Sequence, residues 1–252
     1  MFKIIQISDL HFGTENQQVI LAGQKIVEEL KPDLIVVAGD LTQRNWSWQY
    51  FKAVEFLKSL NRPILIVPGN HDIPLFNFFL RFRKPLKSYD RFFNLPNISV
   101  FENNYINIVG VNSTDGFQVK NGKLTSSDME KVVENFQKNK EDKWNIFVTH
   151  HPLIDIKKTK HPELLDRLLD SMNIWLAGHT HKFRLESLRL NGKEYKAYQC
   201  VSGTFVSNRL RNEENSFNLL EFENNKKVVI SNYYFKVLQG KFIRDMQMDI
   251  SR

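Results

Sequence analysis

Five short polar segments hold six of the chain's seven histidines in four of them, and only His161 lies elsewhere. The segments are Ser8-Asp9-Leu10-His11, Gly39-Asp40, Pro68-Gly69-Asn70-His71-Asp72, His150-His151-Pro152 and Gly178-His179-Thr180-His181. Carboxylate and amide oxygens together with imidazole nitrogens form a hard-to-intermediate donor set, suited to Mn, Fe, Zn or Co rather than to thiolate-seeking metals. Alternate residues of an extended segment, Asp9 with His11 and His179 with His181, can both aim into one site where the chain bends. Asp40, alone in its segment, is placed to bridge two ions. Two ions about 3.5–4 Å apart activate water and clamp both oxygens of an in-line phosphoryl displacement. A single histidine at a strand end is ordinarily structural; six gathered this way point to chemistry.

Elements must bring these segments together. Runs at 3–8, 34–38, 64–67, 105–111, 146–149 and 174–177 are short and rich in Ile and Val, as strands buried on both faces are. Five of the six lead directly into a polar segment. In open α/β sheets the ligand crevice lies beyond the carboxyl ends of the strands. Helical spacing recurs between them in Ile26, Val27 and Leu30, in Phe51, Val54, Leu57 and Leu60, and in Leu164, Leu165, Leu168 and Leu169. Ser127 with Glu130 reads as a capping box opening a helix that carries Met129, Val132, Val133 and Phe136. Beyond Gly178, strands at 183–190 and 194–200 join through Asn191-Gly192, a hairpin signal. Strands at 217–222 and 228–235 flank Asn224-Asn225. The pattern predicts an α/β class with a mixed sheet ending in antiparallel strands, and one domain over 1–252, because no repeat or linker divides it.

Composition sets the outer limits. The 252 residues carry 35 Lys+Arg against 28 Asp+Glu, a formal charge of +7, with 25% charged and 42% apolar residues. That balance is globular rather than disordered. The one cysteine, Cys200, excludes an intrachain disulfide and a Cys-based zinc site and favours a reducing compartment. A strand directly after Met1 predicts no cleavable leader, and no apolar run reaches membrane-span length. A cytoplasmic location is therefore expected. The positive charge favours anionic partners, though a lysine-rich solvated surface gives the same sum.

The five segments, in their order, resemble the calcineurin-like metallophosphoesterases, whose pattern is D-x-H, G-D, G-N-H-D/E, H and G-H-x-H. All five blocks are intact, and they run from Asp9 to His181. The resemblance implies a four-layer αββα sandwich of two mixed β-sheets flanked by helices. It implies two divalent ions (Mn2+, Fe2+/Fe3+ or Zn2+), one held by Asp9, His11, Asp40 and His181 and the other by Asp40, Asn70, His150 and His179. His71 would stabilise the transition state and protonate the leaving group, and Asp72 would orient neighbouring imidazoles. His151, second of its pair, is expected to be supporting. Gly39, Gly69 and Gly178 also read simply as turn glycines that tolerate positive φ.

Substrate is addressed by two further stretches. Ser202-Gly203-Thr204, Arg209, Arg211, Asn215 and Ser216 follow the last block, and similar Gly-Thr and Arg-rich stretches follow it in the bacterial cyclic-nucleotide phosphodiesterase branch. Arginine forks suit phosphate, so Arg209 and Arg211 are candidate substrate contacts, although an exposed Arg pair also fits a solvated face. Residues 73–96 set Phe76, Phe78, Phe79, Phe82, Phe92 and Phe93 among Arg81, Arg83, Lys84, Lys87 and Arg91. This helical, cap-like insertion reads as a packed cap, an amphipathic surface for acidic membrane or a dimer surface. The expected activity is a dinuclear phosphodiesterase using metal-bound hydroxide on a small phosphodiester such as a cyclic nucleotide, from a monomer or homodimer. The alternatives are a UDP-diacylglucosamine-type pyrophosphatase at the inner membrane face, a nuclease, disfavoured because no nucleic-acid module is present, and a non-catalytic metal-binding scaffold.

Overall fold

The computed structural model describes residues 1–94, 96–138, 143–156 and 159–252. Its first sheet is built from β1 (Phe2–Ile7), β2 (Leu34–Ala38) and β3 (Ile64–Val67), which pair in parallel. β10 (Ser216–Phe222), β11 (Lys227–Lys236) and β12 (Lys241–Ser251) extend it antiparallel, giving the order β12-β11-β10-β1-β2-β3. The second sheet runs β4-β5-β6-β7-β9-β8, from β4 (Ile98–Glu102), β5 (Ile106–Val111), β6 (Trp144–Val148), β7 (Ile174–Ala177), β9 (Lys193–Val201) and β8 (Arg184–Leu190). Its four central strands are parallel and its outer pairs antiparallel.

Three apolar layers hold the two sheets and their helices. Ile4, Val36 and Val67 of the first sheet meet Ile108, Ile146 and Leu176 of the second. The next residues along the same strands, Ile5, Ile35 and Val37, turn to α1 (Gln17–Leu30) and α2 (Ser47–Ser59). Val109, Phe147 and Trp175 turn to α5 (Ser126–Gln137) and α6 (Pro162–Ser171). Because both faces of each inner strand are buried, these strands lack polar alternation. The expected sandwich, with a helix layer outside each sheet, is therefore present.

Several local expectations change. Strands β4 and β12 were not expected; both are sheet edges, β4 has no buried residue, and β12 intersperses charged residues among its apolar ones. α5 is capped by Thr125, whose Oγ1 accepts from Asp128 N at 3.1 Å, so Ser127 and Glu130 lie inside the helix and form no box. Phe51 is 61% exposed, because α2 turns Tyr50, Ala53, Phe56 and Leu57 to the core instead. The Asn191-Gly192 hairpin is present, both residues at positive φ.

The insertion divides its aromatics. It holds α3 (Phe78–Arg83) and α4 (Lys87–Phe93); Leu95, within it, lies outside the described residues. Phe92 and Phe93 pack on the outer core of the first sheet, with Phe92 stacked on Tyr50 at 5.0 Å. Phe76, Phe79 and Phe82 stay outside. Arg81 is turned inward, 3% exposed, and donates to the carbonyls of Pro74 and Gly116 at 2.8 Å.

Candidate metal centre

Each polar segment leaves the carboxyl end of its strand, and main-chain bonds lash them together. Asp9 N donates to Gly39 O at 3.1 Å, His11 N to Asp40 O at 3.0 Å and Gly178 N to His150 O at 2.9 Å. The expected bends are sharp: Asp9, His11, Asp40, His179 and His181 all take positive φ, between 43° and 71°. A left-handed conformation costs a non-glycine residue about 1–2 kcal/mol and persists where its surroundings over-determine it. The glycines divide differently from expectation. Only Gly39 needs positive φ, at 86°. Gly69 and Gly178 are required by close approach, since a Cβ would lie 2.2 Å from Asp40 Oδ1 and 1.8 Å from Ser8 Oγ respectively.

The side chains converge as two groups sharing Asp40. In the first, His11 Nε2 lies 3.3 Å from His181 Nε2 and 3.6 Å from both Asp9 Oδ1 and Asp40 Oδ2, while His181 Nε2 is 3.4 Å from Asp9 Oδ1. In the second, His150 Nε2 is 3.3 Å from Asp40 Oδ2 and 3.1 Å from Asn70 Oδ1, and His179 Nδ1 is 3.0 Å from Asn70 Oδ1. Two donors each ~2.1 Å from one ion stand ~3.0 Å apart at a right angle and ~3.4 Å apart at the tetrahedral angle, so these gaps are those of coordination edges. Asp9 Oδ1 is fully buried and accepts no hydrogen bond. The donor set therefore fits divalent ions.

Hydrogen bonds behind the ring decide which nitrogen faces the site. His150 Nδ1 donates to Ala38 O at 2.7 Å, and His181 Nδ1 is tied to Arg209 O at 2.8 Å and to Thr204 Oγ1 at 2.7 Å. Both Nε2 atoms are thus turned inward. Ser8 Oγ donates to Asp9 Oδ2 at 2.7 Å. Thr204 is expected in a stretch that addresses substrate, but its hydroxyl stands behind His181, a contact made only once distant strands are adjacent.

Electrostatics point the same way. Burial alone would raise the Asp40 carboxyl, but His150, His71 and His11 outweigh it and hold it well below its usual range. Asp9 is also lowered, by His181, His11 and His150 acting against burial. His150 rises to about 9, since Asp40 overcomes the penalty of burial. His71 falls to about 4, chiefly through burial with His11 and Arg209 adding to it, and His179 to about 4 through burial and His150.

The remaining candidates separate by contact. His71 donates from Nδ1 to Gln43 O at 2.9 Å, while its Nε2 receives Arg209 Nη1 at 2.8 Å. Asp72 reaches no imidazole. Its buried carboxylate accepts from the amides of Leu41, Thr42 and Gly69 at 2.9–3.1 Å, which fixes the turns carrying Asp40 and His71. His151 is buried and bonded to Ser113 Oγ at 2.8 Å. Arg209 and Arg211 both line the cavity above the centre, but only Arg209 touches a site side chain; Asn215 is turned away, donating to Ser207 O. That cavity, of about 580 Å³, has Asp40, Asn70, His71, His179 and His181 among its lining residues, along with Arg44, Lys120, Lys182 and Arg184. Among the described residues, no helix is long and apolar enough to cross a membrane.

Known proteins share this arrangement of sequence and fold. The chain is 27% identical over 192 residues to the uncharacterized metallophosphoesterase YkuE of Bacillus subtilis, covering 71% of this chain and 58% of that protein. It is 28% identical over 200 residues to a probable cyclic nucleotide phosphodiesterase of Vesicomyosocius okutanii, covering 72% and 79%. A crystal structure of a dimetal phosphatase from Danio rerio has the same fold, with a TM-score of 0.67 at 12% identity over 99% of this chain and 98% of that one. The calcineurin-like phosphoesterase family model matches residues 2–183, which takes in every one of the five polar segments. By that match the chain belongs to the calcineurin-like phosphoesterase family, whose members are metal-dependent phosphoric ester hydrolases.

Proposed function

We propose that the chain is a dinuclear-metal-dependent phosphodiesterase acting on a small phosphodiester such as a cyclic nucleotide. The observation that carries this is the Arg209–His71 pair, 2.8 Å apart beside two donor sets that share Asp40. Asp9, His11, Asp40 and His181 would hold one ion, and Asp40, Asn70, His150 and His179 the other. When bound, the ions supply water activation and neutralise charge on the phosphoryl oxygens. Arg209 turns its guanidinium from His71 to a phosphoryl oxygen, as charge-assisted pairing favours. With that cation withdrawn and an anionic ester beside it, His71 takes up a proton and donates it from Nε2 to the departing oxygen. Gln43 O keeps the ring oriented, and Asp72 keeps the turn beneath it in place. The name of the Vesicomyosocius relative supports a cyclic nucleotide as substrate.

A second substrate class is favoured by the cavity's charge. Arg44, Lys120, Lys182, Arg184, Arg209 and Arg211 line it, offset beyond the donor sets only by Asp155. A substrate with two phosphoryl groups, a nucleoside diphosphate ester, would use that excess.

The test compares bis-p-nitrophenyl phosphate, p-nitrophenyl phosphate, a cyclic nucleotide and a nucleoside diphosphate ester, each with Mn2+ and with EDTA. Diester turnover abolished by EDTA, restored by Mn2+ and lowered at least ~100-fold in Asp40→Ala, with loss of bound metal, is the expected result. Metal-loaded protein that hydrolyses none of the four would overturn the assignment and leave a metal-binding scaffold.

A further inference from the structure

We infer that the outer face of the insertion docks on an anionic lipid bilayer and sets the cavity mouth at the membrane surface. Three aromatic side chains stand out of the fold there: Phe76 is 72% exposed, Phe79 68% and Phe117 75%. They come from two separate segments that are fixed to one another. Phe82 stacks on Phe117 with ring centres 4.9 Å apart, and the inward-turned Arg81 binds the carbonyls of Gly116 and Gln118. A buried guanidinium thus ties the two segments of the aromatic face together. A helix that buries Arg81 while Phe79 and Phe82 stay exposed departs from the usual amphipathic arrangement.

The face continues to the rim of the cavity. Val119 and Ile154, 59% and 78% exposed, line its mouth beside Arg44 and Lys120. Cations fringe the aromatics at close range: the Arg44 guanidinium lies 5.8 Å from the Phe76 ring centre and that of Arg83 5.2 Å from Phe79. Lys84, Lys87 and Arg91 follow in the same insertion, all exposed. Two residues beyond Arg44, Trp46 is exposed and leans on Trp48 at 6.1 Å. Aromatic rings settle at the headgroup level while lysine and arginine pair with acidic headgroups, so charge complementarity selects an anionic bilayer as the occupant.

Co-sedimentation of the full chain with vesicles reads this directly, using phosphatidylcholine alone and phosphatidylcholine with 30% phosphatidylglycerol as a roughly physiological acidic fraction. The chain should pellet with the acidic vesicles, much less with the neutral ones, and progressively less as salt rises. The triple variant Phe76→Ser/Phe79→Ser/Phe117→Ser should lose ~10-fold or more of that binding while hydrolysing a water-soluble diester at the parent rate, since none of the three lines the cavity. Absence of pelleting, or equal pelleting by the triple variant, would overturn the inference. So would a dimer by light scattering that the triple variant converts to monomer, because the face would then belong between two copies of the chain. Pelleting is measured without turnover, so a failed ester assay leaves its outcome standing.

Discussion

At His71 two hydrogen bonds set the resting state of the ring. Gln43 O accepts from Nδ1–H and Arg209 donates to Nε2, while burial, above all, lowers the imidazole to about 4 and keeps it neutral. A residue acting on the leaving group rather than on the ions should be separable from them. His71→Ala is expected to lower kcat ~100-fold or more while bound metal, measured by elemental analysis, stays at the parent level. Metal lost along with activity would make His71 a ligand instead. Asp72 acts one step further out. Four donors on Leu41, Thr42 and Gly69 occupy its carboxylate, so its effect on the site passes through the main chain of both turns.

At the scale of an element, α5 shows how close a pattern can come and still miss. Ser127 and Glu130 have the spacing of a capping box, but the chain is already helical at Ser126, and Thr125 holds the N-cap with Oγ1 on Asp128 N. Thr125→Ala should cost about 1 kcal/mol in urea unfolding, and Ser127→Ala less than about 0.5 kcal/mol. Equal losses would return the cap to Ser127. The edge strands were missed for a related reason. β12 carries Lys, Arg and Asp between its apolar residues because one side of an edge strand meets solvent, and no continuous Ile/Val run announces it.

At the scale of the molecule, the two sheets are joined by more than apolar contact. Gln6 of β1 crosses the interface and donates to Ala177 O of β7 at 2.9 Å and Cys200 O of β9 at 3.1 Å. Asn218 Nδ2 bonds Gln6 Oε1, and Asn232 Nδ2 bonds Asn218 Oδ1, all within a buried layer. Among the strands so joined, β1 leads into Asp9 and His11 on one sheet and β7 into His179 and His181 on the other. Gln6→Ala should therefore cost about 2–3 kcal/mol of unfolding free energy and reduce metal affinity together, because the two Gln6 bonds that set the sheets against each other are lost and Asn218 Nδ2 loses a buried acceptor. Unchanged stability and affinity would show the apolar layer alone sets that spacing.

The sequence by itself determined the candidate donors, the strand ends that present them and the apolar runs behind them. Asp9, His11, Asp40, Asn70, His150, His179 and His181 are informative because five polar segments follow buried strands, a local signal that survives without coordinates. The α5 and α6 stripes were legible for the same reason, since helical periodicity is local. Tertiary structure decided what depends on two distant segments meeting: Arg209 over His71, Thr204 behind His181, Asp72 on the main chain, and the outward turn of Phe76, Phe79 and Phe82 while Phe92 and Phe93 go in. The physical reason is one of range. Periodicity and strand ends are written within a few residues of each other, whereas the partner of an arginine or the neighbour of a phenylalanine is fixed only when two sheets close and the space between them is filled.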